Sequence, residues 1–414
     1  MTTPPDPNPS PQALSHLDTI AQLSHGFKNG EPGARQGLLD ACRHLIAEIS
    51  HPSENMLQLL WAQPAHLNVL WMATEVKLFQ AMQSLPPSGA SASEIASQCD
   101  ANKNVDPILV GRMLRHLSAM GTVRETGPGI FSHTPTSSAF AQPAYQDSIL
   151  YIAENFQPVH QSMKSYLSEH GWQNPDSGVD GPFQHAYGCK GSSYFDFFAQ
   201  QPEIGRRFAS MMDMWSRGRP RWFDTEYYPV EERLIRGVAE TDAAAPFLVD
   251  VGGGTGHDVE GLREAFQGQL PGKLILQDRP EIVKLASLGP GVDGMPHDFL
   301  TEQPVKGARA YYLHSIIQDW NDQVCTTILK AIVPAMKRGH SKVLVNDFVV
   351  PTQGAHWAQS KPLHLLLRLF SLVSLGRGDL ANGKQRVWIG NSWPVWGQGT
   401  APRRSIGSCT RARA

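Results

Sequence analysis

Residues 247–258, FLVDVGGGTGHD, decide the fold of this chain. Apolar and β-branched residues lead into Asp250 and then into a cluster of glycines. This change is typical of a buried strand that runs into a tight turn at the N-terminus of a helix. Glycine lets the backbone of such a turn approach a ligand closely and adopt positive φ at no steric cost. The run therefore predicts a ligand-binding strand, turn and helix.

A second apolar strand is predicted at residues 273–277, and Asp278 and Arg279 follow it. An acid at the tip of the second strand of a nucleotide-binding sheet holds the ribose hydroxyls. The glycine run lacks the G-x-G-x-x-G spacing of dinucleotide sites, and no Gly-Lys-Ser/Thr follows it. This disfavours pyrophosphate and triphosphate ligands and favours an adenosine that carries a small amino-acid tail.

The segment DVGGGTG at residues 250–256 resembles the first S-adenosylmethionine (SAM) motif of the plant and fungal small-molecule O-methyltransferases. The resemblance implies a Rossmann-like α/β sheet that binds SAM as cofactor. Asp298, which Phe299 follows, resembles the position that meets the adenine amino group in that family. The predicted cofactor-binding residues are Asp250, Gly252, Gly253, Gly254, Asp278, Arg279, Asp298 and Phe299. The alternative is a glycine-rich turn that binds no ligand.

The bulk composition excludes several classes of function. With 414 residues, 41% of them hydrophobic, the chain can form one large or two medium domains. A net charge of −2 gives no electrostatic reason to expect nucleic acid or an anionic membrane as a partner. The five cysteines form no C-x-x-C pair, which indicates reduced thiols. No signal peptide and no apolar run of about 20 residues is present, so we expect a cytoplasmic protein.

The N-terminal third of the chain has helical periodicity that ends in a predicted β wing. Residues 1–12 read as a disordered tail, and helices are predicted within residues 14–49 and 56–82. Ser91 or Ser93 can cap a short helix, and Asp106 opens a further helix that ends at Gly121. Residues 122–134 then have the character of a β wing.

A helix-turn-helix followed by a wing suggests either DNA binding or a subunit interface. The second helix offers Arg112 and Arg115 but no basic cluster for phosphates. The same segment resembles the mostly helical winged-helix dimerisation domain of the O-methyltransferases. We therefore favour a homodimer that acts on a small molecule over a DNA-binding protein.

The rest of the chain divides into an aromatic region and an α/β region. Residues 148–229 are rich in aromatic residues and methionine; each one favours a core position, but the set favours a flat hydrophobic substrate pocket. From residue 245, strands are predicted at 246–251, 273–277, 309–313 and 342–348, with helices at 257–267, 280–286 and 322–336. This alternation predicts a doubly wound, mainly parallel sheet. The predicted domains are 13–145 (dimerisation), 146–235 (substrate pocket) and 236–380 (SAM binding).

The predicted catalytic segment departs from the family at one position. Relatives read H-D-W, and the resemblance makes that histidine the general base, whereas this chain has Gln318, Asp319 and Trp320. A carboxamide orients a substrate but cannot take its proton as imidazole does. Asp347 keeps the position of the acid that holds the histidine in relatives. Relatives often carry a histidine at His314 too, so we interpret it as structural.

Residues 381–414 lack the character of this family. They are rich in Trp, Arg, Gly and Ser, without helical or strand periodicity. A shifted reading of the codons for residues 388–397 allows DWELLASLG, and the same shift over residues 381–386 allows GERETE, both similar to segments in relatives. We interpret this tail as frameshifted rather than as an ordinary disordered tail. The chain would then lack the final strands of the sheet and leave an unpaired edge.

Three functions are compatible with these residues. The first is SAM-dependent methylation of a hydroxyl on an aromatic or polyketide-like secondary metabolite. The second is a pericyclic or dehydration reaction, as in fungal relatives that keep the SAM pocket but replace the histidine. There Gln318 would steer the substrate, and His160 could project into the pocket as a second polar group, although a histidine there is more often a surface or core residue. The third is a catalytically inactive dimer partner.

Overall fold

The structure, a computed structural model, describes residues 8–31, 33–175, 177–216, 221–224, 227–238 and 244–347, together with the backbone of 386–390. The described residues form two units. One contains residues up to 216 and 319–322, and the other contains residues 221–318, 323–347 and 386–390. Of the predicted aberrant tail, residues 381–414, only the backbone of 386–390 is described; residues 1–7 also lie outside the described residues. The predicted domain boundaries stay predictions.

The N-terminal unit is built from helices and one small sheet. Its first helices are α1 (Pro11–Lys28), α2 (Ala34–Ile49), α3 (Pro52–Leu57), α4 (Gln63–Glu75), α5 (Leu78–Gln83), α6 (Ala92–Gln98) and α7 (Pro107–Ala119). A π-helical turn, Gln58–Ala62, joins α3 to α4. Helix α1 thus begins inside the segment predicted as a tail, because Ser10 caps it by accepting a hydrogen bond from the Ala13 amide at 3.0 Å.

The predicted winged helix is present. Ser91, rather than Ser93, caps α6 in a capping box with Glu94, and Asp106 caps α7. The sheet has the order β1-β3-β2, with β1 at Ala90–Ser91, β2 at Val123–Gly127 and β3 at Ile130–His133. Buried side chains of α5, α6 and α7 pack with this sheet into one core.

The aromatic region forms helices that pack ring against ring. They are α8 (Pro135–Phe140), α9 (Pro143–Leu150), α10 (Gln157–Glu169), α11 (Pro182–Tyr187), α12 (Tyr194–Gln200) and α13 (Pro202–Ser216), with a π-helical turn at Tyr151–Phe156. The Tyr194 ring lies 4.5 Å from Phe183 and 4.2 Å from Phe198, between centroids. The individual aromatic residues named here are therefore core residues.

The second unit is an α/β sheet with the strand order β6-β5-β4-β7-β8-β9. Its strands are β4 (Pro246–Val251), β5 (Lys273–Asp278), β6 (Val292–Pro296), β7 (Ala310–His314), β8 (Lys342–Asp347) and β9 (Arg386–Gly390), and its helices are α14 (His257–Ala265), α15 (Pro280–Val283) and α16 (Asp322–Ile332). The pairs from β6 to β8 are parallel, as predicted. The prediction missed β6, and α15 ends earlier than expected.

The strand order places a ligand crevice at the carboxyl end of β4. From β4 the chain continues to β5 and β6 on one side, and then crosses to β7 and β8 on the other. Ligands of open α/β sheets bind where the strand order reverses in this way. Asp250 pairs in register with Leu276 on one side and Tyr312 on the other, so the strand ends lie side by side.

The predicted unpaired edge at β8 is wrong. Strand β9 pairs with β8 in antiparallel register, from Asp347 opposite Arg386 to Val343 opposite Gly390. Backbone pairing requires only residues that favour extended structure, and Val387, Trp388 and Ile389 do so. The edge can therefore be covered whether or not this segment carries the residues of the family.

Among the helices that the structure describes, none has both the length and the hydropathy of a membrane-spanning segment.

Candidate cofactor and catalytic site

The glycine loop after β4 is held against β5 by backbone hydrogen bonds. The amides of Gly252 and Gly253 donate to the Gln277 carbonyl oxygen at 2.7 and 3.1 Å. Gly252 and Gly254 adopt φ of +74° and +63°, which is strained for other residues. A methyl group added at Gly254 would meet no atom within 4 Å, so the loop leaves open space there. The sequence predicted this shape of the turn correctly.

Gly253 is required for a different reason: neighbouring side chains lie too close to its Cα for a larger residue to fit. A methyl group at Gly253 would overlap Asp250 Cγ and stand 2.6 Å from Leu276 Cδ1. The Asp250 carboxyl group thus lies directly against the loop backbone.

Asp278 joins the tip of β5 to the same loop. Its Oδ2 accepts a hydrogen bond from the Gly254 amide at 2.8 Å, and its Oδ1 accepts one from the Arg279 amide at 2.7 Å. Burial raises the pKa of the Asp278 carboxyl group, and the two amides act in the opposite direction. A carboxylate oxygen can accept more than one hydrogen bond, so these amides leave capacity for ligand hydroxyls.

Asp250 is fully buried, and neither of its carboxyl oxygens has a hydrogen-bond partner among the described residues. Burial, and then the charges of Asp258 and Asp278, raise its pKa well above the usual range. A buried carboxyl group without partners is costly. The three acids together favour a ligand with positive charge.

A polar network that the sequence did not predict adjoins the loop. Asp258 Oδ2 accepts hydrogen bonds from His314 Nδ1 at 2.5 Å and from the Tyr312 hydroxyl at 3.2 Å, and the Asn346 amide donates to that hydroxyl at 2.7 Å. Burial acts to raise the pKa of the Asp258 carboxyl group. The neighbouring His314 acts in the opposite direction, and the net effect is a lowered pKa. His257 Nε2 lies 3.7 Å from the same carboxylate oxygen. The contact agrees with a structural role for His314.

Asp298 and Phe299 follow β6. Asp298 is exposed, and its Oδ1 accepts a hydrogen bond from the Leu300 amide at 2.9 Å. A methyl group built at Gly252 would lie 2.5 Å from Ile316 Cδ1 and 3.5 Å from Phe299 Cε1. Phe299 is thus brought to the glycine loop, and Ile316, which the sequence analysis missed, joins it there.

The segment after β7 carries Gln318. The backbone turns at Ser315, whose φ of +57° is uncommon for a residue with a side chain, and such strain clusters at functional sites. The Gln318 amide then donates to Asp347 Oδ2 at 2.8 Å. Asp347 therefore holds the backbone of this segment. In relatives, the acid at this position is expected to hold the side chain of the catalytic histidine instead.

The remaining predicted catalytic residues lie in the N-terminal unit. Asp319 precedes Trp320, whose ring stacks on Phe195 with centroids 6.1 Å apart. Burial, and then the Asp319 charge, raise the pKa of Tyr194. His160 on α10 meets the Phe156 ring edge to face at 5.3 Å, and burial lowers the His160 pKa.

Comparisons with known proteins identify the class. Residues 173–377 match the O-methyltransferase domain, and residues 65–143 match the O-methyltransferase dimerisation domain. O-methyltransferase mpaG of Penicillium brevicompactum is 35% identical over 339 residues, which cover 81% of this chain and 83% of that protein. The chain belongs to the family of SAM-dependent O-methyltransferases. Its dimerisation domain supports a homodimer.

Two solved structures have the same fold at 26% identity and a TM-score of 0.74. One is described as a pericyclic reaction enzyme, and the match covers 91% of this chain and 90% of that chain. The other is LepI in complex with SAM, and the match covers 90% of each chain. Both agree with the predicted α/β fold and its helical N-terminal domain.

The residues of the loop fit SAM. SAM carries a ribose, an amino group and a sulfonium, so it offers hydroxyls and positive charge. Asp278 has acceptor capacity at the tip of β5, and the buried Asp250 lacks a hydrogen-bond partner among the described residues. The open space at Gly254 adds room for a ligand against the backbone.

Proposed function

We propose that this protein methylates a hydroxyl group of an aromatic or polyketide-like secondary metabolite. The observation that carries the proposal is the hydrogen bond from the Gly254 amide that holds Asp278 against the glycine loop, beside the buried Asp250. We assign cofactor binding to these residues together with the loop glycines, Arg279, Asp298 and Phe299.

In this assignment, Asp278 binds the ribose hydroxyls, and the negative charge around Asp250 favours the cationic part of the cofactor. Asp298 is exposed, so its carboxylate is accessible to an adenine amino group. SAM, when bound, supplies a methyl group that its sulfonium activates.

The acceptor hydroxyl must lose its proton when its oxygen receives the methyl group. Gln318 accepts and donates hydrogen bonds but does not take up a proton, so its proposed role is to orient the substrate. The Gln318 amide bond to Asp347 holds this part of the backbone at the end of β8. The proton then leaves to water, which favours acidic phenols and enols, and orientation supplies much of the rate.

A pericyclic or dehydration reaction is the second candidate. Gln318 favours it, because the family base is absent while the cofactor loop is complete. The similarity to a structure described as a pericyclic reaction enzyme supports it at 26% identity. We assign Gln318, Asp319 and His160 as the polar groups that would steer such a reaction.

Product analysis separates the candidates. The protein is incubated with SAM and hydroxylated polyketides or pyridones, and the products are measured by mass spectrometry. Methylation adds the mass of one methyl group, whereas a pericyclic reaction gives an isomer and a dehydration gives loss of water. No product from any substrate would support an inactive homologue and contradict both proposals.

The variant Gln318→His tests the missing base. If the protein is a methyltransferase, the new imidazole should raise methylation by roughly 10²–10⁴-fold, most for the least acidic hydroxyl. If it is a pericyclase, the change should lower or redirect cyclisation without creating methylation. Gln318→Asn is the matched control, because it keeps a carboxamide and adds no base. Methylation by the Gln318 protein at a rate unchanged by the histidine would refute a limiting role for this position.

We also propose that residues 381–414 result from a shifted reading frame. The composition of the tail and the GERETE and DWELLASLG strings in the alternative frame support this. Activity should therefore be measured both for the chain as it stands and for a frame-restored form.

A further inference from the structure

Two histidines and one aspartate converge beside the glycine loop, and none of the three is assigned to the cofactor or the substrate. His257 and Asp258 begin α14, and His314 ends β7. One nitrogen or carboxylate oxygen from each side chain lies within 4.8 Å of those of the other two. Asp258 Oδ2 is the centre of the group, because it lies 2.5 Å from His314 Nδ1 and 3.7 Å from His257 Nε2.

Hydrogen bonding accounts for only one of these two contacts. The distance of 2.5 Å between His314 Nδ1 and Asp258 Oδ2 is that of a hydrogen bond, whereas the 3.7 Å to His257 Nε2 is too long for one. Ligand atoms about 2.0–2.1 Å from a tetrahedral ion lie about 3.3 Å apart. The first contact must therefore open by about 0.8 Å and the second close by about 0.4 Å to hold such an ion. Small rotations of side chains provide movements of this size.

The donor atoms indicate which kind of ion the group suits. Imidazole nitrogens bind zinc, copper, nickel and iron, whereas magnesium and calcium prefer sites made of oxygen ligands. Two histidines with one carboxylate are a donor set that zinc sites use. The side chains of His257, Asp258 and His314 are 27%, 15% and 22% exposed, so an ion can reach them from solvent.

A chain of hydrogen bonds orients the carboxylate from behind. The Asn346 amide group donates to the Tyr312 hydroxyl at 2.7 Å, and this hydroxyl donates to Asp258 Oδ2 at 3.2 Å. Asn346 and Tyr312 are both buried. Carboxylates that bind metal ions are held by outer contacts of this kind, which fix the direction of the ligand oxygen.

We propose that His257, Asp258 and His314 bind a divalent transition-metal ion of the zinc type, which joins the start of α14 to the end of β7. The ion replaces the proton that His314 Nδ1 shares with Asp258, and this proton passes to Nε2 or to solvent. Three protein ligands leave one tetrahedral position for water. The inference goes beyond the proposed methyl transfer and assigns the ion no step in that reaction.

The charges at this place favour a cation. The N-terminus of α14 contributes about half a positive charge, which opposes the binding of a metal ion. The Asp258 carboxylate contributes a full negative charge at the ligand position itself, so the balance at the start of the helix is negative.

Calorimetry with Zn²⁺ tests the site on the full chain, without a histidine tag and after treatment with a chelator. His257→Gln removes one ligand from a side chain that is partly exposed. His340→Gln is the matched control, because it removes an imidazole of the same unit that precedes β8. Strands β7 and β8 are parallel, so His340 lies at the opposite end of the sheet from the site.

We expect one Zn²⁺ per protomer to be lost or weakened in His257→Gln and kept in the control. Loss of an outer-sphere partner costs roughly 10–100-fold in metal affinity, so loss of a ligand should raise the dissociation constant at least ~10-fold. The control should change it less than about twofold. Equal constants for the two variants would overturn the proposal, and so would a wild-type dissociation constant above about 1 mM.

Two further measurements keep the test independent of folding. Asp258→Asn should also weaken Zn²⁺ binding, and circular dichroism should show that each variant keeps the wild-type helical content. Mg²⁺ is the second probe: binding as tight as that of Zn²⁺ would overturn the proposal, because it would indicate a site made by carboxylates alone. Methyl transfer is measured separately, so a failure here leaves the proposed reaction untouched.

Discussion

Replacement of Asp250 by Asn should stabilise the protein without ligand and weaken its binding of SAM. The Asp250 carboxyl group is fully buried and has no hydrogen-bond partner among the described residues. Asn has nearly the same shape but no charge. The variant therefore removes the cost of burying a group that ionises in the unfolded chain, and it also removes the carboxylate that a cationic ligand would favour.

The pH dependence of this effect follows from the raised pKa. The unfolded chain releases the Asp250 proton near pH 4, while burial and the neighbouring acids keep it bound in the folded protein to higher pH. Folding stability then falls as pH rises above about 4, by up to about 1.4 kcal/mol per pH unit, until the folded carboxyl group ionises. Asn cannot titrate, so the advantage of the variant is absent below pH 4 and grows above it. In a unit of this size, the difference in melting temperature should widen by about 3–6 °C per pH unit.

Differential scanning fluorimetry from pH 4 to pH 7.5 measures the difference. Trp222, one of the ten tryptophans of the chain, lies in the unit that contains Asp250, and its ring stacks on Tyr312 with centroids 4.6 Å apart. Asp293→Asn is the control: its carboxylate is exposed in an ion pair with Lys273, which contributes little. Calorimetry should show SAM affinity lowered by roughly 10- to 100-fold in the Asp250 variant. A melting difference that is constant with pH, or that shrinks as pH rises, would refute the reasoning.

Three further predictions concern other parts of the chain. Asp278→Ala should weaken SAM binding by ~1–3 kcal/mol in calorimetry, because ribose hydroxyls lose their acceptor; unchanged affinity would remove Asp278 from the site. Tyr311→Phe should lower the free energy of unfolding by about 1–2 kcal/mol in urea titrations, because its buried hydroxyl shares its one proton between the carbonyl oxygens of Val305 and Ala335, which lie 2.8 and 2.9 Å away; an unchanged midpoint would contradict this. Sequencing of the transcript should reveal one or two bases, or an intron end, between residues 365 and 381, and a transcript that matches the printed chain would end the frameshift proposal.

Most of the α/β fold was predictable because its strands are buried on both faces. Strands β4, β5 and β7 are continuous apolar runs, and the glycine loop marks the end of β4. Strand β6 was missed because its sequence, VDGMP, is mostly exposed and contains both Gly and Pro. Such a strand forms through pairing with β5, and pairing leaves no local pattern in the sequence.

The sequence predicts those residues of the candidate site that directly follow a strand. The glycines and Asp278 follow strand ends, so their convergence follows from the parallel sheet. The contact between Asp258 and His314 joins residues 56 positions apart, and neither residue has a neighbour that signals it. The hydrogen bond from the Gln318 amide to Asp347 was also missed, because a backbone donor carries no sequence signature.

The contact between Gly253 and Asp250 couples the effects of substitutions at the two positions. An alanine at Gly253 overlaps the carboxyl group of Asp250, so that substitution alone disrupts the loop. A smaller residue at Asp250 removes the overlap with the carboxyl group but leaves Leu276 Cδ1 2.6 Å from the added methyl group, so the effects of the two substitutions are not additive. The cost of a substitution at either position therefore depends on the residue at the other. A chain that loses the acid therefore still needs the glycine, because Leu276 on the neighbouring strand continues to fill the space beside it.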